Sequence, residues 1–200
     1  WYTLEANGNC LVFPGSKPTP TPDKPAAPTL TEPESMPDDA EIKTNTVAET
    51  NAATKAEVGY QVKPTDIAEM KAPTITRGSL SVMLNDAVKV MKKLSDGSEV
   101  EVEATVNEDG SISITGSLDG AESVTVNFIG RQFGDGTGDN IVDLSDAISA
   151  LRITAEIDNP TNTEKFYMDV SADSKIDLDD SILLLRYVAE LVDENYVNKA

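Results

Sequence analysis

Two acidic segments of twelve residues contain most of the side chains that could bind an ion. Asp135–Asp146 reads DGTGDNIVDLSD, and Asp169–Asp180 reads DVSADSKIDLDD. The segments begin 34 residues apart, and at that offset aspartates coincide at positions 1, 5, 9 and 12. The match continues beyond the segments, because Ile148, Leu151 and Arg152 each have an identical residue 34 positions later. The pattern predicts an internal duplication.

The spacing of oxygen donors suits a hard cation such as calcium. Calcium takes roughly six to eight oxygen ligands, and a twelve-residue loop supplies them from alternate positions, a backbone carbonyl at position 7 and a carboxylate at position 12. The predicted ligands of the first segment, loop 1, are Asp135, Thr137, Asp139, the carbonyl of Ile141, Asp143 and Asp146. Those of the second segment, loop 2, are Asp169, Ser171, Asp173, the carbonyl of Lys175, Asp177 and Asp180.

A pair of acidic, solvated turns is the alternative interpretation, since Asp beside Gly or Ser is common in loops. Without a cation the carboxylates repel one another, and two charges about 4 Å apart cost roughly 4 kcal/mol at an effective dielectric constant of about 20. Two such loops in the same register therefore favour metal binding. Position 6, which usually needs a positive φ, is Asn140 in loop 1 and Ser174 in loop 2. Because Ser tolerates that region less readily than Asn, loop 2 is predicted to be the weaker site.

The residues before each loop differ from those of an ordinary EF-hand, in which a helix lies on both sides of the loop. Before loop 1, VTVNFIGRQFG alternates like a strand and ends in Gly. Before loop 2, NPTNTEKFYM is short and contains Pro160, which disfavours a helix. Each repeat is therefore predicted to be a loop followed by a single helix.

The duplicated loop and helix, the location near the C-terminus and the Asp residues at position 12, Asp146 and Asp180, resemble the dockerin family. The resemblance covers about residues 134–200. It implies two calcium ions and, as partner, a cohesin module of a scaffoldin. It also implies a secreted, extracellular or cell-surface assembly of the cellulosome type in an anaerobic bacterium. The chain departs from the family in having Thr137 and Ser171 at position 3, where Asn is usual, and in lacking Gly at position 6.

The resemblance also implies which residues contact the cohesin, at loop positions 10 and 11 and at positions 17, 18 and 22 of the repeat. In repeat 1 these residues are Leu144, Ser145, Leu151, Arg152 and Glu156. In repeat 2 they are Leu178, Asp179, Leu185, Arg186 and Glu190. Because Ser145 is neutral where Asp179 is charged, one binding orientation is expected to dominate.

Helical periodicity predicts an apolar stripe that packs the two repeats together. The stripe consists of Ala147, Ile148, Leu151, Ile182, Leu185, Val188 and Ala189. An alternative to the docking interpretation is that Leu144 and Leu178 belong to the core and that the two arginines are merely solvated.

The composition excludes several classes of function. The 200 residues have a formal net charge of −19, which disfavours nucleic acid and anionic membranes as partners because both would repel the chain. The only cysteine is Cys10 and histidine is absent, so an internal disulfide, a thiolate zinc cluster and a Ser/His/Asp or Cys/His catalytic arrangement cannot be assembled. No run of about 20 apolar residues is present to span a bilayer.

Changes in composition divide the chain into four parts. Residues 1–13 are interpreted as the remnant of an upstream module, since the chain begins at Trp1 rather than Met. Residues 14–56 are rich in Pro and Thr and form a predicted semi-rigid linker. Residues 57–133 alternate with period two, and residues 134–200 form the dockerin-like part. The predicted fold class is mixed: a small antiparallel β-sandwich followed by an all-α, EF-hand-like dockerin with two calcium loops.

The predicted β-sandwich consists of short strands between tight turns, and it loosely resembles the X modules that precede dockerins. The strand candidates are SLSVML, AVKVMKKL, EVEVEATV, SISITGSL and SVTVNFI, with VGYQV as a candidate edge strand. The turns are expected at Asp96-Gly97, Asp109-Gly110 and Asp119-Gly120. The aromatic residues predicted to be core rather than a sugar-binding platform are Tyr60, Phe128 and Phe133.

The predicted function is non-catalytic, because the acidic pairs in NEDGS and SDGSE fall at hairpin turns rather than in a catalytic pair. The first hypothesis is calcium-dependent binding to a cohesin, which would anchor an upstream module in a polysaccharide-degrading assembly. Contact with polysaccharide would then be indirect. The alternative is an accessory C-terminal part of a glycoside hydrolase or a carbohydrate-binding protein. A calcium-binding module without a partner is a third possibility.

Overall fold

The computed structural model describes residues 3–6, 9–12 and 24–199. Within them the chain forms twelve strands: β1 (Thr3–Ala6), β2 (Asn9–Val12), β3 (Thr29–Thr31), β4 (Glu41–Asn45), β5 (Glu57–Val62), β6 (Thr74–Arg77), β7 (Leu80–Met83), β8 (Ala87–Leu94), β9 (Glu99–Val102), β10 (Ala104–Val106), β11 (Ile112–Ile114) and β12 (Ala121–Ile129). The α-helices in the same residues are α1 (Leu144–Thr154), α2 (Asn162–Met168) and α3 (Leu178–Val188), and short 3-10 helices lie at Val47–Glu49 and Ile67–Glu69. Each described helix is too short or too polar to cross a membrane.

The strands pair antiparallel in two main sheets and two hairpins. The larger sheet has the order β4-β5-β12-β8-β9, the smaller sheet has the order β3-β6-β7, and β1 with β2 and β10 with β11 form the hairpins. In the central strand β12, Val124, Val126 and Phe128 are buried. Val126 lies opposite Tyr60 of β5 and Val90 of β8. The alternation in SVTVNFI therefore places one face of β12 in the core.

The tight turns and the core aromatic residues were predicted correctly. Gly97, Gly110 and Gly120 have φ angles of 83°, 81° and 73°, which explains why glycine follows each turn aspartate. The aromatic side chains expected in the core are buried, and the rings of Tyr60 and Phe128 meet edge to face at 6.3 Å. Phe133 is also buried, so these rings cannot form an exposed sugar-binding platform.

Two strands lie within the range predicted as a linker. β3 pairs with β6, and β4 pairs with β5. Nearby apolar residues, Val47, Ala52 and Ala56, are buried in the core, so the described part of this range, from residue 24 onward, is anchored by its apolar side chains. Because β4 covers one side of β5, the prediction that VGYQV is an edge strand was wrong.

Other predictions for the N-terminal part concern residues that the structure describes only in part. Within the range interpreted as the remnant of an upstream module, β1 and β2 pair antiparallel. Trp1 and the first part of the predicted linker, up to residue 23, lie outside the described residues.

The predicted fold class, a β-sandwich followed by an all-α dockerin, is wrong. The molecule is mostly β-sheet, and one hydrophobic core runs through both the sheets and the helices. Helix α2 packs against β7. The backbone N–H of Ala52 donates to the carbonyl of Glu194 at 3.0 Å, so the chain after α3 returns to the β region. The helices therefore do not form a separate all-α unit.

A cluster of aromatic residues explains why the two halves share a core. The ring of Phe133, which follows β12, lies 5.6 Å from the ring of Phe166 and 6.0 Å from that of Tyr167 in α2. The hydroxyl of Tyr196 donates to the carbonyl of Phe133 at 2.9 Å. Gly134 has a φ of 97°, and a Cβ there would clash with the Tyr196 hydroxyl. The chain thus passes from β12 into loop 1 through a site that only glycine fits.

Candidate functional site

The two loops fold with the same backbone. Position 6 has a φ of 71° at Asn140 and 72° at Ser174, which is the conformation that position 6 was expected to need. Position 9 is the N-cap of the following helix, with φ and ψ of −138° and −164° at Asp143 and of −137° and −163° at Asp177. Helices α1 and α3 keep the offset of 34 residues and have equal length. The duplication seen in the residue types therefore extends to the geometry.

The carboxylates at position 1 are buried, and each holds the turn of its own loop. Asp135 accepts hydrogen bonds from the backbone N–H groups of Gly138 at 2.6 Å and Asn140 at 3.0 Å. Asp169 accepts from the N–H groups of Asp173 at 3.0 Å and Ser174 at 2.9 Å. Since N–H donors stabilise a carboxylate that has lost contact with water, these bonds offset part of the cost of burial.

The carboxylates at position 12 are fully buried and join the end of each loop to its start. Asp146 accepts from the backbone N–H groups of Gly136 and Thr137, both at 3.0 Å. Asp180 accepts from the N–H of Ser171 at 2.9 Å. Each also accepts from the N-cap residue three positions earlier and completes a capping box. A carboxylate at this position is thus required for the shape of the loop, with or without an ion.

Burial shifts the titration of both position 12 carboxylates. Burial raises the pKa of Asp180 to about 6, N–H bonds from the loop oppose the rise, and the charge of Asp169 adds to it. Burial also raises the pKa of Asp146, and the hydrogen bonds that the carboxylate accepts from the N–H groups of Asp143 and Thr137 oppose that rise. Ionisation of both carboxylates therefore costs free energy in the folded chain, and a cation bound nearby would remove that cost.

A group of carboxylates that could hold a metal ion is present in loop 2. Oxygens of Asp169, Asp173 and Asp180 lie within 4.8 Å of one another, with Asp173 exposed and the other two buried. No second group of this kind is found among the described residues, so the equivalent side chains of loop 1 do not come equally close. Ser174 at position 6 predicts that loop 2 is the weaker site. The carboxylates that lie close enough to share an ion are nevertheless those of loop 2.

The remaining predicted ligands have other partners in this structure. Asp143 and Asp177 accept hydrogen bonds from the backbone N–H groups two residues later, at 2.7 and 2.8 Å. The hydroxyl of Ser171 donates to Asp169 at 3.3 Å, and Thr137 is exposed. The N–H groups of Ile141 and Lys175 each donate to the position 5 carboxylate of their own loop at 3.0 Å. The backbone at position 7, whose carbonyl is a predicted ligand, is therefore placed alike in the two loops.

Basic side chains lie next to both loops. Lys55 donates to the side-chain oxygen of Asn140 in loop 1. Arg131 packs beside Gly138 of loop 1 and pairs with Asp86 at 2.6 Å. Arg77, from strand β6, contacts the start of loop 2 and is buried. The burial of Arg77 could not be predicted from the sequence, because a charged residue at the end of a strand is usually exposed.

The apolar stripe predicted to pack the repeats is wrong in most of its members. In α1, which packs against α3, the small residues Ala147 and Ala150 are buried. The large apolar residues at equivalent positions of the two helices are exposed by 37 to 53%. These residues are Leu144, Ile148, Leu151, Leu178, Ile182 and Leu185. Because they recur at helical spacings of four and three, they lie on one face of each helix.

The residues predicted to bind the partner are all at least partly accessible. Leu144 and Leu178 are 51% and 53% exposed, so they are not core residues. Ser145, Glu156, Asp179 and Glu190 are exposed as well. The arginines differ: Arg152 forms a two-pronged ion pair with Asp158, at 2.6 and 3.0 Å, whereas Arg186 donates to the neutral side chain of Asn198.

The prediction of one helix per repeat is wrong for repeat 2, because α2 ends immediately before loop 2. Thr161 is the N-cap of α2 and forms a capping box with Glu164, at 3.2 and 2.7 Å. The signal was present in the sequence as Thr161 followed three residues later by Glu164. Pro160 lies before the N-cap, where it does not interrupt the helix.

Comparisons of this chain with known protein families, with curated proteins and with solved structures find no match.

In the metal-free chain, ionisation of Asp180 should lower the stability of the fold as the pH rises. The pKa of about 6 lies above the ordinary value of 3.8. Between those pH values the folded chain keeps a proton that the unfolded chain has lost, so the free energy of unfolding falls through this window by up to about 3 kcal/mol. Urea unfolding in chelator at pH 4 and pH 7 measures the change.

Two variants isolate the contribution of Asp180 from that of the overall negative charge. Asp180→Asn should flatten the pH dependence, because the buried group no longer titrates. Asp179→Asn removes one charge at an exposed neighbouring residue and should keep the wild-type slope. The same slope in all three chains would contradict the assignment to Asp180.

The position 6 residues should respond unequally to glycine. Ser174→Gly removes the strain of a positive φ at a residue that tolerates it poorly, and should stabilise loop 2 and tighten metal binding by about 1 kcal/mol. Asn140→Gly should give less, because Asn tolerates this φ and its side chain accepts a hydrogen bond from Lys55. Calorimetric titration of both variants with calcium compares them, and a weakened Ser174→Gly chain would refute the argument.

Proposed function

We propose that the two loops and the helices after them form a calcium-dependent docking unit of the dockerin kind, with a cohesin-type module as partner. The observation that carries the proposal is the double repetition of a loop and its helix. Both loops bury the carboxylates at positions 1 and 12, and both helices expose large apolar side chains at equivalent positions. Burial of two carboxylates in each loop costs free energy that a cation would offset, and the repeated row of exposed apolar side chains offers a partner a surface to cover.

Calcium fits the residues of loop 2. The three carboxylates of Asp169, Asp173 and Asp180 offer oxygen ligands, which a hard cation prefers, and two of them are held in place by backbone N–H groups. The charge of a bound ion would offset the mutual repulsion of these groups. Loop 1 shares with loop 2 the positive φ at position 6 and the N-cap conformation at position 9, which supports a second ion there. Its ligands would be Asp135, Asp139, Asp143 and Asp146 together with Thr137 and the carbonyl of Ile141.

The exposed apolar residues of α1 and α3, together with the polar residues that flank them, are called the docking face, and they have the chemistry of a protein-binding surface. Interfaces usually place apolar side chains at the centre and polar or charged ones around them. Here the exposed leucines and isoleucines of α1 and α3 are flanked by Ser145, Arg152, Asp179 and Arg186. The two helices contact each other, so the two exposed rows belong to one packed pair of helices. A cohesin would bind across this pair, with calcium holding the loops from which both helices start.

The setting that suits this function is a secreted, calcium-rich one, in which the chain anchors an upstream module in an extracellular polysaccharide-degrading assembly. Calcium sites of extracellular modules typically have dissociation constants of about 0.1 to 1 mM. Three observations support such a role: the net charge of −19, the clustering of aspartates in two loops, and the absence of a histidine or cysteine in either loop. The role requires no catalytic residue in this chain.

The two halves of the docking face are not equivalent, which supports a single preferred orientation. In repeat 1 the charge of Arg152 is neutralised by Asp158, while in repeat 2 the side chain of Arg186 donates to the amide of Asn198 and has no carboxylate partner among the described residues. Position 11 is neutral in repeat 1, at Ser145, and negative in repeat 2, at Asp179. A partner with an acidic contact residue would gain more from Arg186, since that side chain does not first have to leave an ion pair.

Calcium should control both the fold and the docking. Binding only to the folded form adds about 2.7 kcal/mol of stability at a free concentration 100 times the dissociation constant. Thermal unfolding of the full chain, with calcium and with excess chelator, is expected to show this shift, and pull-down against a panel of cohesins should succeed only with calcium. Unchanged melting in chelator would reject the metal; calcium-dependent melting without any captured cohesin would leave a calcium-binding module without this partner.

The arginines of the docking face should contribute unequally to partner binding. Arg186→Ala is expected to weaken binding to a cohesin by about 2 to 5 kcal/mol, the usual effect of removing one member of a buried interface charge pair. Arg152→Ala should cost less, because the side chain is already paired with Asp158. Surface plasmon resonance on both single variants and on the double variant tests this. Collapse of binding only in the double variant would show that the two faces substitute for each other.

A further inference from the structure

Arg77 at the end of β6 is a buried cation between the sheets and the helical repeats. The residue is 5% exposed, and it lies within the core of aromatic residues described above. Its guanidinium group stacks on the ring of Phe133 at 4.0 Å and lies 5.6 Å from the ring of Phe166. A charged side chain is rarely buried to this extent without a specific partner.

The partners of Arg77 belong to the first residue of loop 2 and to the helix before it. Its Nη2 donates to the backbone carbonyl of Asp169 and, at 3.0 Å, to that of Phe166. The same nitrogen lies 3.7 Å from a carboxylate oxygen of Asp169. Gly78, the next residue, touches loop 2 as well, because a Cβ there would lie 2.8 Å from the hydroxyl oxygen of Ser174. The turn between β6 and β7 is therefore seated on loop 2.

The contact with Asp169 is the main one that compensates for the burial of Arg77, because two other nitrogens of the side chain lack a partner in the described part of the chain. Nε and Nη1 are buried and have no hydrogen-bond partner among the described residues. A buried guanidinium with two unsatisfied nitrogens is unfavourable unless a carboxylate and strong acceptors compensate for it. Asp169 supplies both, through its carboxylate and its carbonyl. If loop 2 lost its shape, Arg77 would lose its main compensation, and the end of strand β6 would lose its contact with the loop.

We propose that Arg77 couples the metal site of loop 2 to the seating of strands β6 and β7, so that each stabilises the other. The inference rests on the proposed binding of calcium by loop 2. A cation that orders Asp169 also orders the acceptors of Arg77, and by linkage a seated Arg77 increases the affinity of the loop for the cation. Arg77 is a positioning residue in this scheme, since it holds the backbone of a ligand residue without being a ligand.

The sign of the coupling distinguishes it from simple repulsion between cations. A positive charge beside the site would by itself weaken calcium binding, so its removal would tighten the site. Positioning predicts the opposite. Arg77→Met is expected to weaken calcium binding at loop 2 by roughly tenfold, within the usual range for coupled sites. Arg77→Lys keeps the charge but not the forked geometry, and should also weaken the site.

Hydrogen exchange of the full chain across a calcium titration tests the coupling. Peptides that cover residues 169–180 report the affinity of loop 2, and peptides that cover residues 74–83 report the seating of β6 and β7. In the wild-type chain, calcium should slow exchange in both regions at the same concentration, by roughly tenfold in β6 and β7. In Arg77→Met, exchange in β6 and β7 should be fast and should change less than about twofold with calcium.

A matched control and the wild-type response keep the test decisive. Lys71→Met removes one positive charge from an exposed side chain near the same sheet and should leave both regions as in the wild type. If Arg77→Met does not fold, the wild-type titration still decides. Calcium binding at loop 2 without slower exchange in β6 and β7, or tighter binding in Arg77→Met, overturns the coupling alone. A wild-type chain that binds no calcium overturns the coupling together with the proposed function.

Discussion

Four buried carboxylates, at the first and last positions of the two loops, impose the constraint on which the rest of the helical region depends. Asp135, Asp146, Asp169 and Asp180 are each at most 2% exposed. Each accepts backbone N–H groups of its own loop, so the loops are wound around negative charge rather than around apolar side chains. Each loop ends inside the first turn of the helix that follows it, because the position 12 carboxylate is also the third residue of that helix. Packing of the helices thus follows from the electrostatics of the loops.

The second determinant is the junction where the sheets meet the helices. Gly134 lets the chain pass from β12 into loop 1 under the Tyr196 hydroxyl, and Arg77 reaches from β6 to the start of loop 2. Both loops are thereby attached to the β region at their first residue. The aromatic rings of Phe133 and Phe166 fill the space between these two attachments. A single core results, in which neither the sheets nor the helices bury their apolar faces alone.

Local patterns could be predicted from the sequence, whereas choices between faces could not. The duplicated loops, the Asp-Gly turns and the alternation of β12 are set by neighbouring residues and were correct. The inward face of α1 was predicted wrongly, because periodicity marks two apolar rows and does not tell which one is buried. The buried row contains the small residues Ala147 and Ala150, while Ile148 and Leu151 are exposed. Helix α2 was not predicted, because Pro160 disfavours a helix interior; in the structure this residue lies before the N-cap, Thr161. The burial of Arg77 depends on residues about 90 positions away, which no local pattern reports.

Exposed leucines and isoleucines on two neighbouring helices have a consequence for the behaviour of the protein at high concentration. Surfaces of this kind attract one another, and without opposition copies of the chain would associate through them. The net charge of −19 supplies that opposition, because two copies repel at distances beyond the reach of apolar contact. The range of this repulsion shrinks from about 30 Å at 0.01 M ionic strength to about 8 Å at 0.15 M. Colloidal stability in this chain is therefore a property of the salt concentration as much as of the fold.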